Sequence, residues 1–177
     1  MPRNDLSKLS KNLTRALQCF LESDAKLLNL GVNERSVSSK LAAHLSQVYA
    51  DYDVDCEYNR NANQIKRLRP EQCLSNDIKG TTIFPDIIIH KRGNNSRNEL
   101  VIEVKKINNN DDMRDIEKLK CLTDLNGYGY NYGLQLKFGK QKVSDITVWI
   151  QGSADDDATE YLKKELKAAD ILITDEA

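Results

Sequence analysis

Apolar residues in the first third of the chain recur at intervals of three and four positions. In residues 5–29 they include Leu9 and Leu13, and this spacing places side chains on one face of an amphipathic helix. A second pattern of the same kind covers residues 33–50. Asn33 is suited to begin this helix, because its side chain can accept a hydrogen bond from a free backbone N–H. The sequence therefore predicts two consecutive helices.

Shorter segments later in the chain alternate in polarity or are rich in β-branched residues, which is typical of strands. Five strands are predicted, at residues 53–59, 82–91, 99–106, 128–138 and 145–151. In the fourth strand, the residues expected on one face are Tyr130, Tyr132, Leu134, Leu136 and Phe138. Turn residues at positions 93–96 separate the second and third strands, which we therefore expect to pair as a hairpin. Residues 60–80 are polar and are predicted to form a long loop.

Two further helices and a short tail complete the predicted order of elements. The first covers residues 112–125, and its apolar side is predicted to comprise Met113, Ile116, Leu119 and Leu122. The second covers about residues 155–168, and residues 171–174 can form a short edge strand. This order predicts an α/β sandwich with a central mixed β-sheet flanked by helices and an extra N-terminal helix. We expect a single domain over residues 1–177.

The composition is that of a globular protein and argues against a membrane span. Of the 177 residues, 40% are hydrophobic and 30% are charged. No apolar run is long enough to cross a bilayer, and the polar N-terminus carries no apolar signal segment, so we expect a cytoplasmic protein. The four cysteines lack the spacing of a zinc knuckle. The net charge of −1 neither favours nor excludes a nucleic-acid partner, because binding requires only a local basic patch.

Three charged residues lie within apolar, strand-like segments, where a charge without a role is costly. Asp86 precedes three isoleucines, whereas Glu103 and Lys105 alternate with apolar residues in the segment Val-Ile-Glu-Val-Lys. Residues two apart in a strand point to the same face, so Glu103 and Lys105 project together. If the two strands pair, Asp86 can lie beside them. Two carboxylates that converge in this way favour a bound Mg²⁺ ion, which prefers oxygen ligands and also binds phosphate.

The same residues carry a resemblance to a known family. Asp86, with the proline before it, followed by Glu103-Val104-Lys105, resembles the motif of the PD-(D/E)xK nuclease superfamily, which includes restriction endonucleases and junction resolvases. The resemblance implies a restriction-endonuclease-like core of helix, three strands, helix and strand. It implies that Asp86, Glu103 and the Val104 carbonyl bind Mg²⁺, for which Mn²⁺ can substitute, and that Lys105 is the catalytic lysine. The implied activity is endonuclease-type hydrolysis of phosphodiester bonds in DNA.

Several charged positions are open to two interpretations. Glu34 lies in the first turn of the second helix, where family members often carry a glutamate that reaches the metal, but it can equally complement the helix dipole. Glu57, in the first strand, lies either near the site or in solvent, and we expect the latter. Lys118 lies where family members can carry an accessory basic residue, but we expect a surface lysine. Glu103 and Lys105 can also be interpreted as a solvated pair on an edge strand.

A cluster of basic residues in the polar loop is the candidate contact with nucleic acid. Its members are Arg60, Lys66, Arg67 and Arg69. Such side chains beside the site can bind phosphates, although charged loops are often simply solvated. The N-terminal helix at residues 5–29 can form a homodimer or protein-partner surface, or it can cover the sheet, while the motif core occupies about residues 33–151. The alternatives to a nuclease are a non-cleaving nucleic-acid-binding module on the same fold and a protein-interaction module.

Overall fold

The computed structural model of the protein describes residues 3–58, 60–61, 64–65, 82–106 and 113–173. The α-helices in these ranges are α1 (Arg3–Asp24), α2 (Lys26–Asn29), α3 (Glu34–Val48), α4 (Met113–Thr123) and α5 (Asp156–Ala168). The strands are β1 (Asp53–Cys56), β2 (Arg60–Asn61), β3 (Gln64–Ile65), β4 (Ile87–His90), β5 (Leu100–Lys106), β6 (Tyr132–Phe138), β7 (Val143–Ile150) and β8 (Ser153–Ala154).

The N-terminal helices follow the apolar periodicity of the sequence. α1 and α2 together cover the predicted first helix, but a turn at Ala25 separates them. Asn33 caps α3 as predicted, because its side chain accepts a hydrogen bond from the Ser36 N–H at 3.0 Å. Leu13 of α1 and Leu41 of α3 are both fully buried in the same apolar core. These helices therefore cover the sheet rather than standing apart from it.

Six strands form one open, mixed β-sheet in the order β1-β4-β5-β6-β7-β8. β5 and β6 are parallel and are connected through α4, whereas the other neighbouring strands are antiparallel. β4 and β5 form the predicted hairpin, with Ile88 opposite Val101. β2 and β3 form a separate short hairpin within the segment predicted to be a loop, which a two-residue connection between antiparallel strands allows.

Both faces of the sheet are covered by helices. One face packs against α1, α3 and α5, and the opposite face packs against α4. On β5, Ile102 and Val104 point to the three-helix face, so Val101, Glu103 and Lys105 point to the α4 face. The prediction of an α/β protein with a mixed sheet between helices is confirmed.

Three details of the predicted elements are wrong. β4 begins at Ile87 rather than at position 82, because Pro85 has no N–H to donate to a strand ladder. Tyr130 packs against α4, on the opposite face of the sheet from the other residues with which it is grouped in the predicted strand. The chain bends before β6, and the Tyr130 N–H donates a hydrogen bond to the Leu122 carbonyl. Met113 is 58% exposed, because the inward side of α4 is rotated away from it.

Other predicted segments are described only in part. Arg60 lies in β2, whereas Lys66, Arg67 and Arg69 lie outside the described residues. Of the predicted edge strand at the C-terminus, Leu172 forms a single bridge with the start of β7. Across the described ranges, the helices include none with the length and apolar character required to cross a membrane.

Candidate active site

Glu103 and Lys105 lie on β5, an interior strand between β4 and β6. Glu103 is 0% exposed and Lys105 is 9% exposed. The alternative of a solvated pair on an edge strand is therefore wrong. Burial of charged side chains costs free energy unless other charged groups compensate. The neighbouring groups therefore decide what this site can do.

Asp86 is held against β5 by its own carboxylate. Its Oδ2 atom accepts a hydrogen bond from the Val104 N–H at 2.8 Å. The paired residues of β4 and β5 end at Ile87 and Ile102, so the Val104 N–H lies beyond the ladder and the Asp86 side chain supplies its acceptor. One position past that last pair, Asp86 comes opposite Glu103. The hairpin thus brings the two predicted carboxylates together.

Two side chains of α4 complete a buried cluster of charges. The Lys118 ammonium contacts Oε2 of Glu103 and lies 3.0 Å from Oδ1 of Asp115. The Lys105 ammonium lies 2.7 Å from Oδ2 of the same aspartate. Lys118 is 8% exposed, so the expectation of a surface lysine is wrong. Asp115 is missing from the candidates drawn from sequence, although Asp115, Lys118 and the buried Leu119 follow the spacing of a single helix face.

Glu34 reaches the same end of β5 from the first turn of α3. Its Oε1 atom accepts a hydrogen bond from the Lys106 N–H at 3.0 Å. Burial and, to a smaller extent, the charges of Asp115 and Glu34 raise the pKa of Asp86. Glu34 is therefore an acid in the first turn of a helix, and it also lies near the carboxylate cluster. That it reaches a metal ion stays a prediction.

Burial shifts the pKa values of the carboxyl groups Asp86 and Glu103 upward, and nearby positive charge opposes that shift. Burial, followed by the charge of Asp86, raises the pKa of Glu103 well above its ordinary value, and the Lys118 ammonium offsets this only in part. Burial lowers the pKa of Lys118, but the charges of Glu103 and Asp115 outweigh burial, so the net shift is upward. Lys118 therefore remains charged, and a further cation would stabilise the ionised carboxylates.

The charge balance of the cluster can accommodate a cation. When ionised, the cluster carries four negative and two positive charges, which belong to Glu34, Asp86, Glu103, Asp115, Lys105 and Lys118. Oε1 of Glu103 is buried and has no hydrogen-bond partner among the described residues. Such oxygen atoms suit Mg²⁺.

The carboxylates of the cluster are not arranged around a common point at which a metal ion could bind. Within the part of the chain that the structure describes, no three His, Cys, Asp or Glu side chains are grouped as a metal site. The Lys118 ammonium lies against Glu103 instead. A cation that binds both Asp86 and Glu103 would therefore bind the unpaired Oε1 of Glu103 or compete with Lys118 for Oε2.

The remaining predicted residues differ in how far the structure describes them. The Val104 side chain is 1% exposed in the core of the three-helix face, and coordination by its carbonyl stays a prediction. Glu57 lies 2.5 Å from Arg35 in a partly exposed pair, which agrees with the expected solvent-facing position. The side chains of the basic cluster at positions 60–69 lie outside the described part, so their contact with nucleic acid also stays a prediction.

A scan of protein-family models finds no family that matches the chain, and a search of curated proteins finds no match to it. The chemistry of the buried cluster and the order of the elements around it are therefore what indicate a function.

Proposed function

We propose that the protein is a divalent-cation-dependent nuclease that hydrolyses phosphodiester bonds in DNA. The observation that carries this proposal is the position of Glu103. It is completely buried on an interior strand, beside Asp86 and Lys105, with one carboxylate oxygen unpaired among the described residues. A buried, incompletely paired carboxylate is costly, and a bound cation would remove that cost.

The residues of the cluster suit complementary roles in phosphodiester hydrolysis. Asp86 and Glu103 would hold Mg²⁺, with the Val104 carbonyl as a further oxygen ligand. When bound there, Mg²⁺ would lower the pKa of a water molecule and neutralise charge on the phosphate. Lys105 would orient the attacking water or stabilise the negative charge that develops on the phosphate. Asp115, at 2.7 Å from the Lys105 ammonium, would fix the direction in which that ammonium points.

The order of elements supports a restriction-endonuclease-like fold for the proposed nuclease. The PD-(D/E)xK resemblance implies helix, three strands, helix and strand. In the six-stranded sheet and its helices, α3 is followed by β1, β4 and β5, then by α4 and β6. Asp86 lies directly before β4, and Glu103 and Lys105 lie on β5, in keeping with the resemblance. β2 and β3 interrupt this order only as a separate hairpin.

The first experiment measures cleavage of labelled single-stranded, double-stranded and branched DNA with Mg²⁺, with Mn²⁺ and without metal. We expect cleavage that requires metal and that falls at least about a hundredfold in Asp86→Asn and in Lys105→Met. The exposed residues Asp51 and Lys120 provide matched controls, because Asp51→Asn and Lys120→Met make the same chemical changes away from the cluster. Cleavage that persists in both site variants would refute the proposal.

One observation favours a second candidate, a nucleic-acid-binding module on the same fold that does not cut. Lys118 already compensates the charge of Glu103, so the cluster can persist without a metal ion. The two candidates differ in their response to divalent cations, because a ligand that binds only the native state raises its melting temperature. A nuclease site is stabilised by Mg²⁺ in wild type and not in Asp86→Asn. In a non-cleaving module whose Glu103 stays paired with Lys118, Mg²⁺ raises the melting temperature of neither protein.

A further inference from the structure

Polar residues lie side by side on the α4 face of β5 and β6 and directly before β4. Glu103 of β5 is paired in register with Gln135 of β6, and Asp86 comes opposite Glu103 on its other side. Residues paired in register on adjacent strands point to the same face of the sheet. Gln135 is therefore the neighbour of Glu103 on the side away from Asp86.

Gln135 is buried without full use of its hydrogen-bonding groups. The residue is 6% exposed, and its Nε2 atom has no hydrogen-bond partner among the described residues. A buried amide without a partner costs free energy. An apolar side chain of similar size would fill the same space without that cost. The glutamine is best explained by a group that it binds when the site is occupied.

A complementary unpaired group lies on the adjacent strand. Oε1 of Glu103 is also buried and unpaired within the described ranges. Gln135 thus offers an N–H donor on the strand next to this unpaired carboxylate oxygen, whose companion Oε2 is paired with Lys118. An oxygen atom that binds a cation held by Glu103 can accept a hydrogen bond from Gln135 at the same time. Donors of this kind orient the ligands of a metal ion and tune its affinity.

We propose that Gln135 is a further binding residue of the site and that its side-chain N–H donates to an oxygen atom held at Glu103. That oxygen belongs either to a water molecule on the bound cation or to the substrate phosphate, since both accept hydrogen bonds from an amide. This inference rests on the proposed function, because it requires a cation at Glu103. The amide donor orients the oxygen without changing the charge of the cluster.

The neighbours of Gln135 on the same face of the sheet differ from it in charge or in burial. Lys137, two residues further along β6, pairs with Lys105 and adds positive charge to that end of the face. Thr147 of β7 is the next residue across the sheet from Gln135 and is partly exposed. Gln135 therefore supplies a buried neutral donor beside Glu103, and Thr147 is the matched position one strand further from the carboxylates.

The test replaces Gln135 with methionine, which has a similar size and no N–H donor. Three quantities are compared with wild type: affinity for Mn²⁺ by calorimetry without DNA, affinity for DNA with non-hydrolysable linkages in the presence of Mn²⁺, and melting temperature. Thr147→Val is the control, and Gln135→Leu replaces the methionine variant if that variant does not fold. We expect a melting temperature equal to or above wild type, because an unpaired buried amide is removed.

The two affinities identify the oxygen that Gln135 binds. A loss of Mn²⁺ affinity of about tenfold without DNA supports a water molecule on the cation. A loss confined to DNA affinity supports an oxygen of the substrate phosphate. If both affinities equal those of wild type, the role of Gln135 is refuted while the proposed nuclease stands. If wild-type protein binds no Mn²⁺, the proposed function and this inference are both overturned.

Discussion

Lys118 on α4 contacts Glu103 on β5, so an ammonium group compensates the most deeply buried carboxylate of the protein's charge cluster. The same ammonium lies 3.0 Å from Asp115. This arrangement explains how Glu103 can be completely buried on an interior strand. A cation at Glu103 would meet this ammonium as a competitor at Oε2, whereas Oε1 has no partner among the described residues.

Replacement of Lys118 by methionine should destabilise the metal-free protein. The change leaves Glu103 and Asp115 without their shared cation, and removal of one partner from a buried ion pair costs about 3–5 kcal/mol. We expect Mg²⁺ to restore more stability to this variant than it adds to wild type. Urea unfolding with and without Mg²⁺ measures both effects.

The matched control for this change lies on the same helix. Lys120 is exposed, so Lys120→Met should alter the free energy of unfolding by less than about 0.5 kcal/mol. If Lys118→Met also lowers the free energy of unfolding by less than about 0.5 kcal/mol, the buried contact between Lys118 and Glu103 contributes little to stability, and the prediction is wrong.

Asp86→Asn should separate the structural role of Asp86 from its chemical role. An asparagine oxygen can still accept the hydrogen bond from the Val104 N–H, which measures 2.8 Å to the aspartate. We therefore expect stability within about 1 kcal/mol of wild type in metal-free buffer. Binding of Mn²⁺, followed by calorimetry, should be lost because the charged ligand is gone. Asp86→Ala, which removes the acceptor as well, should be less stable than Asp86→Asn. Equal Mn²⁺ affinity in Asp86→Asn and wild type would exclude this carboxylate as a ligand.

The raised pKa of Glu103 predicts that stability falls as pH rises. The folded protein binds this proton more tightly than the unfolded chain, in which the pKa is near its ordinary value of 4.5. Between these two pKa values the native state carries more protons, so the free energy of unfolding decreases with increasing pH. Asp86, whose pKa is also raised, acts in the same direction. The lowered pKa values of Asp53 and Asp55 affect stability at more acidic pH, below this window.

Thermal melts between about pH 5 and pH 8, with and without Mg²⁺, test this prediction. We expect the metal-free protein to melt at lower temperature as pH rises, and the stabilisation by Mg²⁺ to increase, because metal binding to a protonated carboxyl group must displace the proton. Glu103→Gln cannot titrate at this position and should flatten the metal-free slope. An unchanged slope in that variant would assign the pH dependence to other groups.

The strands and the proximity of Asp86, Glu103 and Lys105 could be predicted from the sequence, because two local signals agree. Apolar runs of β-branched residues indicate interior strands, and a period of two places Glu103 and Lys105 on one face. The turn between the two strands then fixes the hairpin, which brings Asp86 to the same place. Each step uses only short-range geometry, so each was accessible from the sequence.

The side of α4 that faces the sheet could not be predicted in this way, because two possible faces of the helix share the same apolar residues. Leu119 and Leu122 fit a face with Met113 and Ile116, but they also fit a face with Asp115 and Lys118. Apolar periodicity alone favours the first. The second is observed, because the sheet beneath the start of α4 presents Glu103 and Lys105 rather than apolar side chains. Only the packing of helix on sheet decides between them.

Gly133 on β6 determines how closely α4 can approach the sheet, and its replacement tests the link between packing and the site. A Cβ atom at Gly133 would lie 2.9 Å from Cγ2 of Thr123 and 3.1 Å from Cδ2 of Leu119, both on α4. These side chains are fully buried, so Gly133→Ala should displace the helix and destabilise the protein by about 1–3 kcal/mol. Because α4 also carries Lys118, we expect altered Mn²⁺ affinity together with the loss of stability.

The matched control is Gly31→Ala, because a Cβ atom at Gly31 would meet nothing within 4 Å. The free energy of unfolding of that variant should lie within about 0.5 kcal/mol of the wild-type value, and its affinity for Mn²⁺ should be unchanged. Urea unfolding and calorimetry on both variants separate two possibilities. If Gly133→Ala loses stability but keeps wild-type Mn²⁺ affinity, the position of α4 does not govern the carboxylate cluster. If stability and affinity change together, close packing of α4 on β6 holds Lys118 against Glu103 and Asp115 against Lys105, and the site depends on a glycine that takes no part in its chemistry.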